Sequence, residues 1–258
     1  CVQPVVALTD AEDVWQHLAA SAGIAAADIA GHDLYLFVDQ PPQRFGLAGE
    51  FFASGRLDNL SSTHAAAVAL ASLDDDPSDV AVLAAFDHEE VGSATTTGAA
   101  GPLLEDVLVR IAAADGLDTA GTREMYTRSS CVSADAGHAV HPNYSGHHDP
   151  VVRPLPNRGP LLKLNANQRY ASDALGSAIW QRACDAAGVP TQTFVSNNAI
   201  PCGSTIGPIT ATRLGITTVD VGIGLLSMHS AREMCGADDP AYLTQALRAY
   251  WRAGNPAD

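Results

Sequence analysis

A chain of 258 residues, 47% hydrophobic and 17% charged, has the composition of a globular protein with one large domain, or a large domain and a piece of a second. Its formal charge of -15 argues against a nucleic acid or an anionic membrane as partner, because both demand a basic face. No apolar stretch reaches the roughly 18 residues of a membrane helix. The five cysteines, Cys1, Cys131, Cys184, Cys202 and Cys235, are odd in number and form no CxxC pair. That points away from a thiolate zinc knuckle or a full disulfide framework and leaves a reducing cytoplasm as the expected location. The chain opens at Cys1 without an initiator methionine, so a segment upstream is expected.

Residues 1 to about 48 predict a short strand, a helix and a second strand at residues 34–38, broken by Pro41-Pro42, and read as the tail of a separate small domain. From Glu50 strand and helix patterns alternate, which argues for an α/β architecture with a parallel sheet and crossover helices. An alanine-rich helix is expected over residues 61–73, stopped by Asp74-Asp75-Asp76-Pro77, with Asp58 in the turn that enters it. Residues 79–93, DVAVLAAFDHEEVGS, suit a buried strand that ends in the cluster Asp87, His88, Glu89 and Glu90. The carboxyl ends of strands are where open α/β sheets keep their chemistry. Residues 98–114 carry a helical stripe of Leu103, Leu104, Val107, Leu108 and Ile111 that is expected to pack as core. A strand over residues 131–134 leads into Asp135, and another spans residues 161–164. Ser172 is expected to cap a helix ending at Gly188. Strands at residues 192–196 and 216–221 each lead into a glycine-containing loop, and a helix over residues 242–251 closes the chain.

Asp58, Glu89, Glu90, Asp135 and His229 all fall at predicted strand ends or in the loops just beyond them. Singly, each reads as a cap, a solvated charge or a surface histidine. Adjacent side chains on a strand point to opposite sides, so Glu89 and Glu90 can do different jobs, one on a metal and one on a proton. A pair of zinc ions needs a bridging carboxylate, a terminal carboxylate for each ion and usually a histidine for each. The chain supplies the carboxylates, a spare glutamate and at least one histidine, one fewer than that scheme asks.

The stretches RLDNLSS, DHEEVGS, SADAGHAVHPNY, NQRYAS, PCGSTIGP and LLSMHSARE follow one another along the chain. Through all six together, from about Leu34 onwards, the sequence resembles the aspartyl aminopeptidase family of dinuclear zinc exopeptidases. DHEEVGS alone is similar to a segment of the related tetrahedral glutamyl and deblocking aminopeptidases, whereas HAVHPN and SMHS favour the aspartyl family. The resemblance implies a three-layer α/β/α zinc-peptidase domain, with residues 50–258 as its C-terminal part and residues 1–49 as the end of an inserted β-rich dimerisation domain. It further implies that Asp58 bridges two Zn2+ ions, that Glu90 and His229 complete one site, and that Asp135 belongs to the other. Glu89 would be the general base. His138, Lys163 and Tyr170 would lie around the substrate, Lys163 meeting an acidic side chain or a peptide carboxylate and Tyr170 donating to an oxyanion. The remaining family ligand, the histidine of an HxD motif, would precede Cys1, because His17 and His32 lack that context. Asn198 departs from the aspartate that relatives often carry before the Cys-Gly turn. The expected activity is removal of an N-terminal Asp or Glu from peptides by a homo-oligomer, commonly a dodecamer in this family. Two other readings stay open: a glutamyl or deblocking aminopeptidase, and a catalytically incomplete fragment or assembly subunit.

Overall fold

The computed structural model describes residues 4–8, 13–73 and 79–253, and its contacts separate two units, Cys1–Phe37 and Val38–Asp258. In the first unit, α1 (Val14–Ala22) starts where the Asp13 side chain accepts the Trp15 N–H at 2.9 Å. It stops at Gly23, whose φ of 72° makes the left-handed turn. Among the described residues this unit carries no strand. Residues 34–38, predicted to be one, form no strand and are exposed, Tyr35 at 81%. Residues 5–8 are likewise irregular, and any strand at Thr9 to Glu12 falls outside the described residues. Strand propensity alone does not supply a neighbouring edge to pair with.

The second unit runs β1 (Gln43–Phe45), β2 (Phe51–Ser54), α2 (Leu57–Ala71), α3 (Leu103–Ala114), α4 (Thr119–Arg128), β3 (Ser130–Ala134), β4 (Gly137–His138) and β5 (Leu161–Leu164). It continues with α5 (Ala174–Ala187), β6 (Gln192–Val195), α6 (Gly207–Leu214), β7 (Thr217–Gly222), β8 (Gly224–Leu226), β9 (Glu233–Gly236) and α7 (Asp239–Arg252). The central sheet has the order β3-β7-β5-β6, with β3 parallel to β7, β5 parallel to β6, and β5 antiparallel to β7. It is therefore mixed where strand-helix alternation predicts a parallel sheet: alternation reports that helices separate strands, not the direction in which each strand returns. A second sheet, β1-β2-β9-β8-β4, stands beside it. β1 belongs to it, so residues 43–45, predicted to lie with the N-terminal segment, are hydrogen-bonded to β2.

Helices cover both faces of the central sheet. Val219, Val221, Val132 and Ala134 pack against Trp180 and Cys184 of α5, Ala65 and Ala69 of α2, and Leu243 and Leu247 of α7. On the other face, Cys131 packs with Leu104 and Leu108 of α3 and Met125 of α4 against the buried Tyr126, Leu214 and Ile216. Alternation along a strand puts Ser133 with Cys131 and Asp220 with Thr218, on that second side. The predicted three-layer α/β/α arrangement is thereby met. Three local expectations are corrected. Residues 80–86 form no strand and are half-exposed, with only Leu83 reaching the main core. An apolar run supplies strand propensity, but a ladder also needs a neighbouring edge to pair with. The stripe of α3 is core only in part, since Leu104 and Leu108 are packed while Leu103 is 46% exposed. Finally, α5 is capped by Asp173, which accepts the Gly176 N–H at 2.7 Å. Ser172 is engaged elsewhere, accepting the Asp220 N–H at 2.9 Å. The expected stop of α2 at Asp74 to Pro77 lies outside the described residues.

Asp220 itself is wholly buried on β7. Its Oδ1 accepts from Ser133 Oγ at 2.7 Å and Thr205 Oγ1 at 2.5 Å, and its Oδ2 accepts from Ala171 N at 2.6 Å. A Cβ on Gly207 would collide with this carboxylate. Each buried donor left without an acceptor costs about 1–3 kcal/mol. Asp220→Ala is accordingly expected to lower unfolding free energy by about 3 kcal/mol or more in urea titration; a loss below about 1 kcal/mol would contradict this account.

Candidate metal centre

Asp58 sits where the chain passes from β2 into α2. Arg56 adopts φ 57°, and Asp58 keeps a ψ of 107°, so regular helix begins only beyond Asn59. The Asn59 amide ties this turn to the end of β3: its Nδ2 donates to Ala134 O at 2.8 Å, and its Oδ1 accepts from Ala136 N at 3.2 Å. Those two groups flank Asp135, so one side chain sets Asp58 and Asp135 beside each other. Glu90 lies on the single turn Glu89–Val91, entered through His88 at φ 64° and left through Gly92 at φ 97°. His229 follows β8 at φ 65°, a left-handed value that few non-glycine residues adopt.

These turns bring three of the predicted residues together. His229 Nε2 stands 3.0 Å from Asp58 Oδ2 and 3.2 Å from Glu90 Oε1, and ligand atoms of all three lie within 4.8 Å of one another. Asp135 stands outside that trio. Its Oδ2 accepts from Lys163 Nζ at 2.9 Å, and the same ammonium donates to Ala136 O at 2.8 Å. Lys163 is 1% exposed, so a lysine expected to greet a substrate is held by the protein's own aspartate. Tyr170 is also buried, with its ring 6.2 Å from that of Phe194 and 5.4 Å from Lys163 Nζ. Burial, then a hydrogen bond to Cys202, raises its phenol above the ordinary range. His138 is exposed at the end of β4, in register with Leu225 of β8.

The electrostatics are those of a carboxylate cluster short of cations. Burial, followed by Asp135 and Glu90, raises Asp58 to about 7. Glu89 is raised by burial, then by Asp135 and Glu90, with Lys163 and His229 opposing. Burial pulls the His229 imidazole down, but Glu90 and Asp58 outweigh it and hold it above its ordinary value. Two carboxylate oxygens and one imidazole nitrogen, converging in a field this negative, suit a divalent ion and zinc in particular. Asn59 and Glu233 carry no signal of their own in the sequence, although both sit inside stretches that hold candidate ligands, RLDNLSS and SMHSARE. Proximity in sequence to a candidate ligand is the one trace of them.

An α/β sheet with acidic and imidazole side chains gathered at its loop end is an arrangement that metal-dependent hydrolases use. The profile of the aminopeptidase I zinc metalloprotease (M18) family matches residues 9–251. A probable M18 family aminopeptidase 2 of Streptomyces coelicolor is 50% identical over 255 residues, covering 96% of this chain and 59% of that protein. Among solved structures, the crystal structure of prApe1 is similar at TM-score 0.85 and 31% identity, over 93% of this chain and 52% of that one. The mApe1 dodecamer of S. cerevisiae is similar at TM-score 0.81 and 30% identity, over 93% and 55% respectively. The chain belongs to the M18 aminopeptidase family and spans between half and three-fifths of the length of these relatives.

The raised Asp58 carries a pH dependence whose sign is fixed. Unfolded, its carboxyl titrates near 3.8; folded and metal-free, near 7. The folded form thus holds a proton that the unfolded form has released, and this contribution to stability is lost as pH rises through that window. Chelator-treated protein is expected to melt at progressively lower temperature from pH 4.5 towards 7.5, with Asp58→Asn flattening the slope. An unchanged slope in the variant, followed by circular dichroism, would contradict the assignment.

Proposed function

We infer that this chain carries part of the active site of a zinc aminopeptidase that releases an N-terminal residue, Asp or Glu, from peptides. The observation that carries this reading is the convergence of Asp58, Glu90 and His229 beside Glu89 and Asp135 in a chain of the M18 family. Asp58, Glu90 and His229 would hold one ion, and Asp58 with Asp135 would contribute to a second. Zinc, when bound, polarises a peptide carbonyl and makes water a stronger acid. Glu89 acts as the base, taking a proton from the attacking water and giving it to the leaving amine. Its raised carboxyl suits that exchange, because a base poised closer to neutrality both accepts and returns a proton readily. The acidic cluster also attracts the free α-amine that distinguishes an exopeptidase substrate. His138, Lys163 and Tyr170 flank the substrate in this reading, with Lys163 supplying a positive charge beside Asp135.

Residues 1–49 would be the end of an inserted dimerisation domain, and residues 50–258 the C-terminal part of the catalytic domain. A homo-oligomer belongs to the same proposal, supported by the dodecamer formed by mApe1 of S. cerevisiae. So does a cytoplasmic location, where Cys131, Cys184, Cys202 and Cys235 stay unpaired as they are here. No helix among the described residues is long and apolar enough to cross a membrane.

One observation favours a second reading, that the 258 residues form a catalytically incomplete piece. Among the described residues, the ligands that converge are those of one ion, while Asp135 pairs with Lys163. Metal analysis separates the two cases: two tightly held zinc ions per chain support a complete site, and one firm ion with a weak second supports the piece. In the full-length protein, Glu89→Gln is expected to lower kcat by orders of magnitude while zinc content stays nearly constant. Loss of metal on that substitution would mean that the two glutamates exchange roles. Aminoacyl substrates of Asp, Glu, Leu and Lys assayed side by side test the specificity, and a preference for Leu or Lys would overturn the acidic assignment.

A further inference from the structure

Glu233, the first residue of β9, is 2% exposed, and nothing in the reaction outlined above uses it. A carboxylate so deeply buried needs partners, because water can no longer solvate its charge. Both of its oxygens have one, and the partners are the backbone amides of two metal-site residues. Oε2 accepts from Asp58 N at 2.8 Å, and Oε1 accepts from His229 N at 2.7 Å. One rigid group therefore spans two positions that are 171 residues apart in sequence.

Both positions need such a hold. Asp58 follows Arg56 at φ 57°, and His229 itself sits at φ 65° after Ser227 at φ 56°. Left-handed backbone is unfavourable for residues with a side chain and persists where surroundings fix it. Glu233 is itself anchored, because it lies in register with Ser54 at the end of β2, four residues before Asp58. We propose that Glu233 is a positioning residue of the metal centre, whose carboxylate fixes the separation of Asp58 and His229 by holding the backbone amide of each. The inference rests on the metallopeptidase reading for its consequence, zinc affinity, but the positioning itself does not require an ion.

Two variants of the full-length protein test it. Glu233→Gln keeps the shape but turns an N–H donor towards one of the two amides, and Glu233→Asp keeps the charge but is one methylene too short to reach both. Zinc affinity, measured by competition with a chelator, is expected to fall 10- to 100-fold, the range typical of groups that orient metal ligands. Excess zinc should then restore much of the lost kcat. The exposed substitution Glu124→Gln on α4 should leave the affinity unchanged. In the metal-free protein, hydrogen exchange followed by mass spectrometry should quicken in peptides covering Asp58 and His229 and remain as in wild type in β5 and α5. Wild-type zinc affinity in both variants, or unchanged exchange at the two amides, would overturn the proposal. Faster exchange at both amides in a protein whose wild type binds no zinc would uphold the positioning and sink the metallopeptidase reading instead. Faster exchange throughout the chain would show Glu233 to be a general stabiliser and would also overturn it.

Discussion

The structure depends on a buried charge, Asp220, answered by dipoles rather than by a cation. On β7 it gathers Ser133 from β3, Ala171 from the loop before α5 and Thr205 from the loop before α6. Three segments that lie far apart in sequence are thereby fixed to one strand. Desolvating a carboxylate is costly, and this one is stabilised only when every donor is in place. That requirement makes the arrangement all-or-none. Tyr170 precedes Ala171, and Asp135 lies two residues beyond Ser133, so the same bonds that close the core also locate two candidate site residues.

Around the candidate centre the same device recurs with different chemistry. Asn59 clasps the peptide groups on either side of Asp135, Lys163 neutralises Asp135 from beneath, and Glu233 receives the amides of Asp58 and His229. The acidic side chains that would hold metal are thus supported by a layer of groups that hold their backbone. Burial first, and then repulsion among the carboxylates, raises Asp58 and Glu89. The supporting layer is what keeps such a cluster together when no cation is present.

Family membership agrees with this architecture at the level of fold and metal chemistry. The relatives extend well beyond the region matched here, and Asp135 faces Lys163 rather than the trio of Asp58, Glu90 and His229. The half-exposed run at residues 80–86 and the exposed side chains of Leu103 and Val107 belong to the same picture of apolar surface without a covering element among the described residues.

By itself the sequence determined the elements whose signal is local. The α/β class, the strands at residues 131–134 and 161–164, the helix ending at Gly188, and Asp58 in a turn at the start of α2 all follow from periodicity, capping and glycine chemistry. It also named the candidate site residues, because six short stretches carry them in order, and the fold brings three of those, Asp58, Glu90 and His229, together. Tertiary structure alone decided direction and partnership. It made β5 antiparallel to β7, denied residues 80–86 a ladder, moved the α5 cap from Ser172 to Asp173, and turned Lys163 inward onto Asp135. Each of these depends on which groups meet across the fold, and hydrogen bonds between residues tens to hundreds of positions apart leave no periodic trace along the chain. Glu233 shows the limit most plainly: in sequence it is one more acid beside His229, and only the folded chain brings Asp58 to its other oxygen.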